Sequence, residues 1–172
     1  MSMKHRGVVA ALAWSAVMAT TLQFQNTCTF PIDVFDNDKT CVLAPGAAGC
    51  NRALSVGFDG MFRHGTSDQA TLAEFAFDGA KVWYDISIVP PGSDKCVGLA
   101  NCMAHSGHIG FNVPLSIFPL SSRDDPRYKC DYVVCYANGC IDAYQYPSDD
   151  FKTKSCPATT DLLVTFCPDL PP

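Results

Sequence analysis

The chain has 172 residues, among them ten Cys, twelve Pro and twelve Gly; 48% are hydrophobic, 17% are charged, and the formal charge is −5. That composition excludes an intrinsically disordered chain, which needs low hydrophobicity and high net charge, and it excludes a coiled coil and a basic nucleic-acid binder. Sixteen of the seventeen acidic residues are Asp and the single Glu is Glu74, so turn-favouring acids replace helix-favouring ones, and the length predicts one domain with its own core.

At the amino terminus, Lys4 and Arg6 precede a run from Gly7 to Met18 that is apolar except for Ser15, and Val17 and Ala19 are small where a signal peptidase cuts. This order predicts a secretory signal peptide over 1–19 and a single domain over 20–172. The apolar run is shorter than the ~20 residues a membrane span needs, and no later segment of that length is free of charges and turns. A secreted, extracellular protein of the apoplast or cell wall is expected. Loss of Lys4 and Arg6 with the leader takes the formal charge from −5 to −7, so attack on anionic membranes is disfavoured by like-charge repulsion.

Export changes how the cysteines are read. An even number in an oxidising compartment predicts a disulfide framework of five bridges. No paired CxxC is present, and His105 and His108 lie on a Gly-containing stretch, so no metal and no other cofactor is expected. No Asn-x-Ser/Thr sequon occurs either.

Along the remaining chain, turn clusters such as Asp36-Asn37-Asp38, Pro45-Gly46, Pro90-Pro91-Gly92 and Asn138-Gly139 separate short apolar runs. Phe30, Ile32 and Val34 alternate with polar neighbours. Across Thr71 to Phe77, Phe75 and Phe77 face away from Glu74. In Lys81 to Ile88, Val82, Tyr84, Ile86 and Ile88 share one face while Trp83, Asp85 and Ser87 share the other. Met103 to His108 reads as a loop, and Leu162, Val164 and Phe166 alternate near the end. No window of twelve residues after the leader keeps a helical period without Gly or Pro. The expected class is all-β, an antiparallel β-sandwich of two packed sheets.

Several ordered blocks carry a family resemblance. Thr71-Leu72-Ala73-Glu74-Phe75, Tyr84-Asp85-Ile86-Ser87, Gly110-Phe111-Asn112-Val113-Pro114, Cys140-Ile141-Asp142-Ala143-Tyr144 and Val164-Thr165-Phe166-Cys167-Pro168 resemble, in order, those of thaumatin-like (osmotin, pathogenesis-related group 5) proteins. Phe24 to Phe30 resembles the family's opening strand. The Cys-rich helical insert of larger members has no counterpart between Cys135 and Cys140, so the chain is similar to the compact members of cereals, fungi and oomycetes, and the tail Asp142 to Asp150 is similar to the microbial cell-wall branch. The resemblance implies disulfides Cys28–Cys167, Cys130–Cys156 and Cys135–Cys140; the remaining four cysteines then close two local loops, Cys41–Cys50 and Cys96–Cys102.

It also implies an acidic cleft, onto which Glu74, Asp85 and Asp142 map. The family's further Asp falls at Pro90 here, and the cleft Arg has only Arg63 and Arg52 as candidates. Two chemistries suit such a cleft. Carboxylates beside Trp83, Tyr84 or Tyr144 can hold sugar hydroxyls while an aromatic face packs on the ring. Alternatively, Glu74, between Ala73 and Phe75, serves as general acid of a weak endo-β-1,3-glucanase with Asp85 or Asp142 as nucleophile or base. Binding of cell-wall β-1,3-glucan without turnover, by a monomer in a defence, wall-associated or host-interaction role, is the leading reading. Hydrolysis and action purely by contact with a host or target protein are the alternatives. For each acid alone, a solvated ion pair is an equal competitor: Glu74 with Arg63 or Lys81, and Asp142 capping the turn after Asn138-Gly139.

Overall fold

The computed structural model describes residues 19–122 and 124–169. All but the last residue of the expected leader therefore lies outside the described residues. The strands run in the order β1 (Thr21–Asn26), β2 (Ile32–Phe35), β3 (Thr40–Leu43), β4 (Ala48–Ala53), β5 (Phe58–His64), β6 (Leu72–Phe77) and β7 (Lys81–Ser87). After helix α1 (Leu99–Ser106) come β8 (Leu115–Pro119), β9 (Val133–Cys135), β10 (Lys154–Pro157) and β11 (Leu162–Phe166). They form two sheets, β4-β1-β11-β8-β9 and β10-β7-β6-β5-β2-β3.

The period-two apolar faces expected from the sequence meet between these sheets. Leu22, Phe24, Leu115, Ile117, Leu162, Val164 and Phe166 face Ile32, Val34, Phe75, Phe77, Val82, Tyr84 and Ile86, and all are buried. Phe24 and Phe62 touch at 4.9 Å between ring centroids. Burying such side chains contributes about 1.5 to 3 kcal/mol each, the main drive for closing the sandwich.

Three details differ from the sequence expectation. β1 and β11 pair in parallel, Leu22 beside Leu162 through Asn26 beside Phe166, while every other pair of named strands among the described residues is antiparallel. A parallel pair requires a crossover connection; here the crossover is nearly the whole domain, and Cys28–Cys167 ties its two ends. Phe30 does not join the buried stripe of Ile32 and Val34: Pro31 withholds a ladder N–H and β2 begins one residue later, leaving Phe30 43% exposed. Residues 103–106 belong to α1 rather than a loop. The helix has eight residues, too few for a long periodic signature; Cys102 pins it to Cys96, and Gly107, at φ 71°, ends it by donating its N–H to the Met103 carbonyl at 2.9 Å.

The five disulfides are Cys28–Cys167, Cys130–Cys156 and Cys135–Cys140, the pairs the family resemblance implies, and Cys41–Cys50 and Cys96–Cys102, the two local loops left to the remaining cysteines. Four residues separate Cys135 from Cys140, so no helical insert interrupts the sandwich there. Among the described residues no helix is long and apolar enough to cross a membrane, and no three His, Cys, Asp or Glu are grouped to hold a metal ion.

The Gly110 to Pro114 block locks the start of β6. Thr71 donates its N–H to Asn112 Oδ1 at 3.0 Å and its hydroxyl to the Val113 carbonyl at 2.7 Å. A Cβ at Gly110 would overlap the carbonyl oxygens of Ile88 and Val89. Gly110→Ala is therefore expected to lower stability by about 2 to 3 kcal/mol, as overpacking against backbone does. A urea titration checks this, and a loss below about 0.5 kcal/mol would mean that the loop simply moves aside.

Candidate functional site

The outer face of the six-stranded sheet is built by the residues that alternate with its core. Register places Met61 beside Glu74 and Glu74 beside Asp85 in one row, and Asp59 beside Ala76 and Ala76 beside Trp83 in the next. Ala76 is small, so the second row dips between Asp59 and Trp83. Tyr144 closes one side: its N–H donates to the Ile86 carbonyl at 2.8 Å and its carbonyl accepts from the Ile88 N–H at 2.9 Å. Its phenol meets the Thr153 hydroxyl. The result is a groove of about 290 Å³ lined by Asp59, Glu74, Ala76, Trp83, Asp85, Tyr144 and Thr153.

The hairpin joining β6 to β7 fixes the aromatic wall. Asp78 Oδ1 accepts the N–H groups of Ala80 and Lys81 at 2.8 and 2.6 Å, and its Oδ2 accepts the Trp83 indole N–H at 3.2 Å. The Lys81 ammonium lies 5.0 Å from the centre of the Trp83 ring. These backbone and indole donors hold the Asp78 carboxyl below its ordinary range. Trp83 is 38% exposed, a large area for an oriented indole.

Glu74 and Asp85 point to the same side of adjacent strands, where directly opposed Cβ atoms stand about 4.5 to 5.5 Å apart. Burial raises the Glu74 carboxyl above its ordinary range, and hydrogen bonding with Asp85 and Ser87 offsets part of that rise. Burial, reinforced by the Glu74 carboxylate and then by Asp150, pushes Asp85 up to about 8. Asp85 Oδ1 is buried with no hydrogen-bond partner. Like charges this close cannot both ionise readily, so the pair retains a proton at neutral pH. It then offers an O–H donor beside carboxylate acceptors.

Of the residues named from sequence, Glu74, Trp83, Asp85 and Tyr144 come together here, whereas Tyr84 and Asp142 do not. Tyr84 is fully buried on the core side of β7, its hydroxyl donating to the Asp131 carbonyl at 2.6 Å; strand alternation turns it away from Trp83 and Asp85. Asp142 is exposed and lines a separate groove with Tyr136, Asn138 and Ile141, because the Cys135–Cys140 turn and the buried Ala143 carry it past the end of the sheet. Neither candidate Arg lines the acidic groove. Arg63 donates to Asn37 Oδ1 at 2.7 Å and lies over the Phe35 ring, and Arg52 pairs with Asp36 at 3.6 Å. Among the described residues Glu74 makes no ion pair with Arg63 or Lys81.

Asp59 and Asp150 are the acids that sequence reasoning missed. Asp59 bears on Glu74, and Asp150 bears on Asp85 and accepts weakly from the Tyr144 hydroxyl at 3.5 Å. The alternation of Asp59, Met61 and Arg63 on β5 could have placed Asp59 on this face. Asp150 arrives through a short 3-10 turn, Asp150–Lys152, that has no sequence signal.

No protein-family model matches the chain. The chain is similar to a thaumatin-like protein of Oryza sativa subsp. japonica, 26% identical over 190 residues that cover 94% of this chain and 92% of the rice protein. It is 45% identical over 141 residues to pathogenesis-related thaumatin-like protein 3.8 of Cryptomeria japonica, covering 58% of this chain and 54% of that protein. With thaumatin-like pathogenesis-related protein 4 of Avena sativa the identity is 30% over 119 residues, covering 69% of this chain and 50% of the relative. The chain thus matches about half the length of the Cryptomeria and oat relatives. Among solved structures, the fold is similar to the protein elicitor MoHrip2 from Magnaporthe oryzae, with a TM-score of 0.52 at 15% identity over 87% of this chain and 99% of that one. It is also similar to the thaumatin-like xylanase inhibitor TLXI, with a TM-score of 0.50 at 20% identity over 86% and 99%.

Proposed function

The chain belongs to the thaumatin-like family, and from that premise we propose that it is a secreted, disulfide-stapled protein that binds cell-wall polysaccharide, foremost β-1,3-glucan, in a defence or wall-associated role. The observation that carries this reading is the placement of an exposed, fixed indole next to a carboxyl pair that holds one proton. A sugar ring presents an apolar C–H face, which packs on Trp83, and paired hydroxyls, which need donors and acceptors side by side. The ten paired cysteines suit an oxidising extracellular compartment.

Binding is favoured over hydrolysis by the arrangement of the two acids. A retaining glycosidase needs its two carboxyls about 5 to 5.5 Å apart and an inverting one about 6.5 to 9.5 Å. Glu74 and Asp85 instead stand side by side on adjacent strands of one groove wall, directly opposed in register, rather than on opposite sides of a bound glycosidic bond. Their shared proton resembles a carboxyl dyad more than an acid and nucleophile flanking a glycosidic bond.

Pulldown of the mature protein on insoluble β-1,3-glucan is the test. Trp83→Ala is expected to weaken binding about tenfold, the scale of a lost aromatic packing contact. No retention of wild type on glucan, with its melting temperature intact, would sink the reading. Release of reducing sugar that disappears in Glu74→Gln would establish the hydrolase alternative instead. Action solely by contact with another protein is the second reading. Its motive is that TLXI is described as an inhibitor and MoHrip2 as an elicitor.

A further inference from the structure

The five-stranded sheet has its own solvent-facing side, on the opposite face of the sandwich from the acidic groove. Two rows of side chains cross it in register. Gln25 stands beside Thr165 and Thr165 beside Ser116. Two residues along β11, Leu163 stands beside Phe118, whose ring meets Tyr132 edge-on at 5.9 Å between centroids. These six side chains line a cleft of about 510 Å³, larger than the acidic groove at about 290 Å³.

We propose that this cleft is a second carbohydrate site, which takes a neutral, unbranched β-linked polysaccharide chain laid across the strands. The floor is polar. Ser116 and Thr165, 3% and 9% exposed, each line it with a hydroxyl-bearing side chain. A hydroxyl both donates and accepts, so a ligand rich in hydroxyls can pair with either in both roles. The neighbouring row supplies an apolar floor and the ring of Tyr132, 41% exposed, for the C–H face of a pyranose.

Charge narrows the occupant. On a protein of formal charge −7 after leader loss, the six side chains are all neutral, and Asp169 at the rim is the one ionisable acid in the lining. A polycation would find no partner on the floor, and an anionic glycan would meet Asp169 and the acidic molecule behind it. A neutral glycan meets none of these penalties. With the acidic groove on the other face, one molecule would hold two chains and gain avidity on an insoluble wall without any new contact.

The test is an amide chemical-shift titration of the mature ¹⁵N-labelled protein with laminarihexaose and with xylohexaose. The amides of Gln25, Ser116, Leu163 and Thr165 are expected to shift, and to shift equally in Glu74→Gln/Asp85→Asn, which removes the groove's paired carboxyls. Ser116→Ala/Thr165→Val deletes two hydroxyls with little change of shape and should weaken these shifts about tenfold, as loss of two hydrogen bonds does. Shifts confined to the groove around Glu74 and Trp83, or none at millimolar sugar, would overturn the proposal. So would face shifts that grow with protein concentration without sugar, since those mark a second copy as the occupant. Shifts on this face with none in the groove would uphold it while overturning the reading of the acidic groove.

Discussion

Replacing Cys28 and Cys167 together by alanine is expected to destabilise the protein by about 5 kcal/mol and to lower its melting temperature by roughly 10 to 20 °C. The two residues are 139 apart in sequence, so their bridge removes a very large loop from the unfolded ensemble. In the chain-entropy relation, a closure of that length is worth about 5 kcal/mol, whereas Cys135–Cys140, five residues apart, is worth about 2. The two removals should therefore differ by more than twofold in calorimetry or urea unfolding. The native contacts at the bridge sharpen the comparison. Thr27 donates its hydroxyl to the carbonyls of Phe166 and Cys167 at 2.9 and 2.6 Å, and these bonds survive the substitution. If removal of Cys28–Cys167 is no worse than removal of Cys135–Cys140, the parallel β1–β11 pair and these bonds hold the chain ends unaided, and the entropic account fails.

How much of this was legible in the sequence depends on the range of the signal. Strand alternation is local. The pattern of Val82, Tyr84 and Ile86 against Trp83 and Asp85 appears in the residues themselves and matches the buried and outward faces of β7, whereas Ser87, on the outward side, is covered. The same pattern separates Tyr84 from the groove, although its place next to Asp85 in the chain makes it a sugar-binding candidate in the sequence. Pairing direction is not local, because nothing in Leu162 to Phe166 says that it lies parallel to Thr21 to Asn26 at the other end of the chain. The meeting of Glu74 with Asp85 follows from hairpin register across Asp78, Gly79 and Ala80, which fixes the partners once both strands are known. Asp142 shows the opposite case. A block that matches the family in sequence places its acid elsewhere when the loop beside it is short and stapled, while Asp150, in no matching block, takes the position near Asp85.

The proton shared by Glu74 and Asp85 makes stability fall as pH rises through the neutral range. Both carboxyls have folded pKa values above their unfolded ones, Asp85 at about 8. The folded protein therefore binds more protons than the unfolded chain between about pH 4 and 8, and stability is fullest below the unfolded value and lost as pH climbs towards the folded one. Each pH unit over which one extra proton is held is worth about 1.4 kcal/mol, so a loss of about 3 kcal/mol is expected between pH 5 and 7. Asp36, Asp78 and Asp125, each held below its ordinary range by hydrogen bonds, act with the opposite sign, and only below about pH 4. Asp85→Asn separates the two. Its amide is neutral at every pH and can donate to Glu74 in place of the proton, so the variant should match wild type near pH 4.5 and exceed it by about 4 kcal/mol at pH 8. Equal slopes for the two proteins from pH 4.5 to 8 would show that the pair does not share a proton. The same titration reaches function, because the O–H donor offered to a sugar disappears as wild type loses that proton. Glucan affinity should fall as pH rises towards and past 8 in wild type and hold level in Asp85→Asn, a divergence that an acidic groove serving only as a charged surface would not produce.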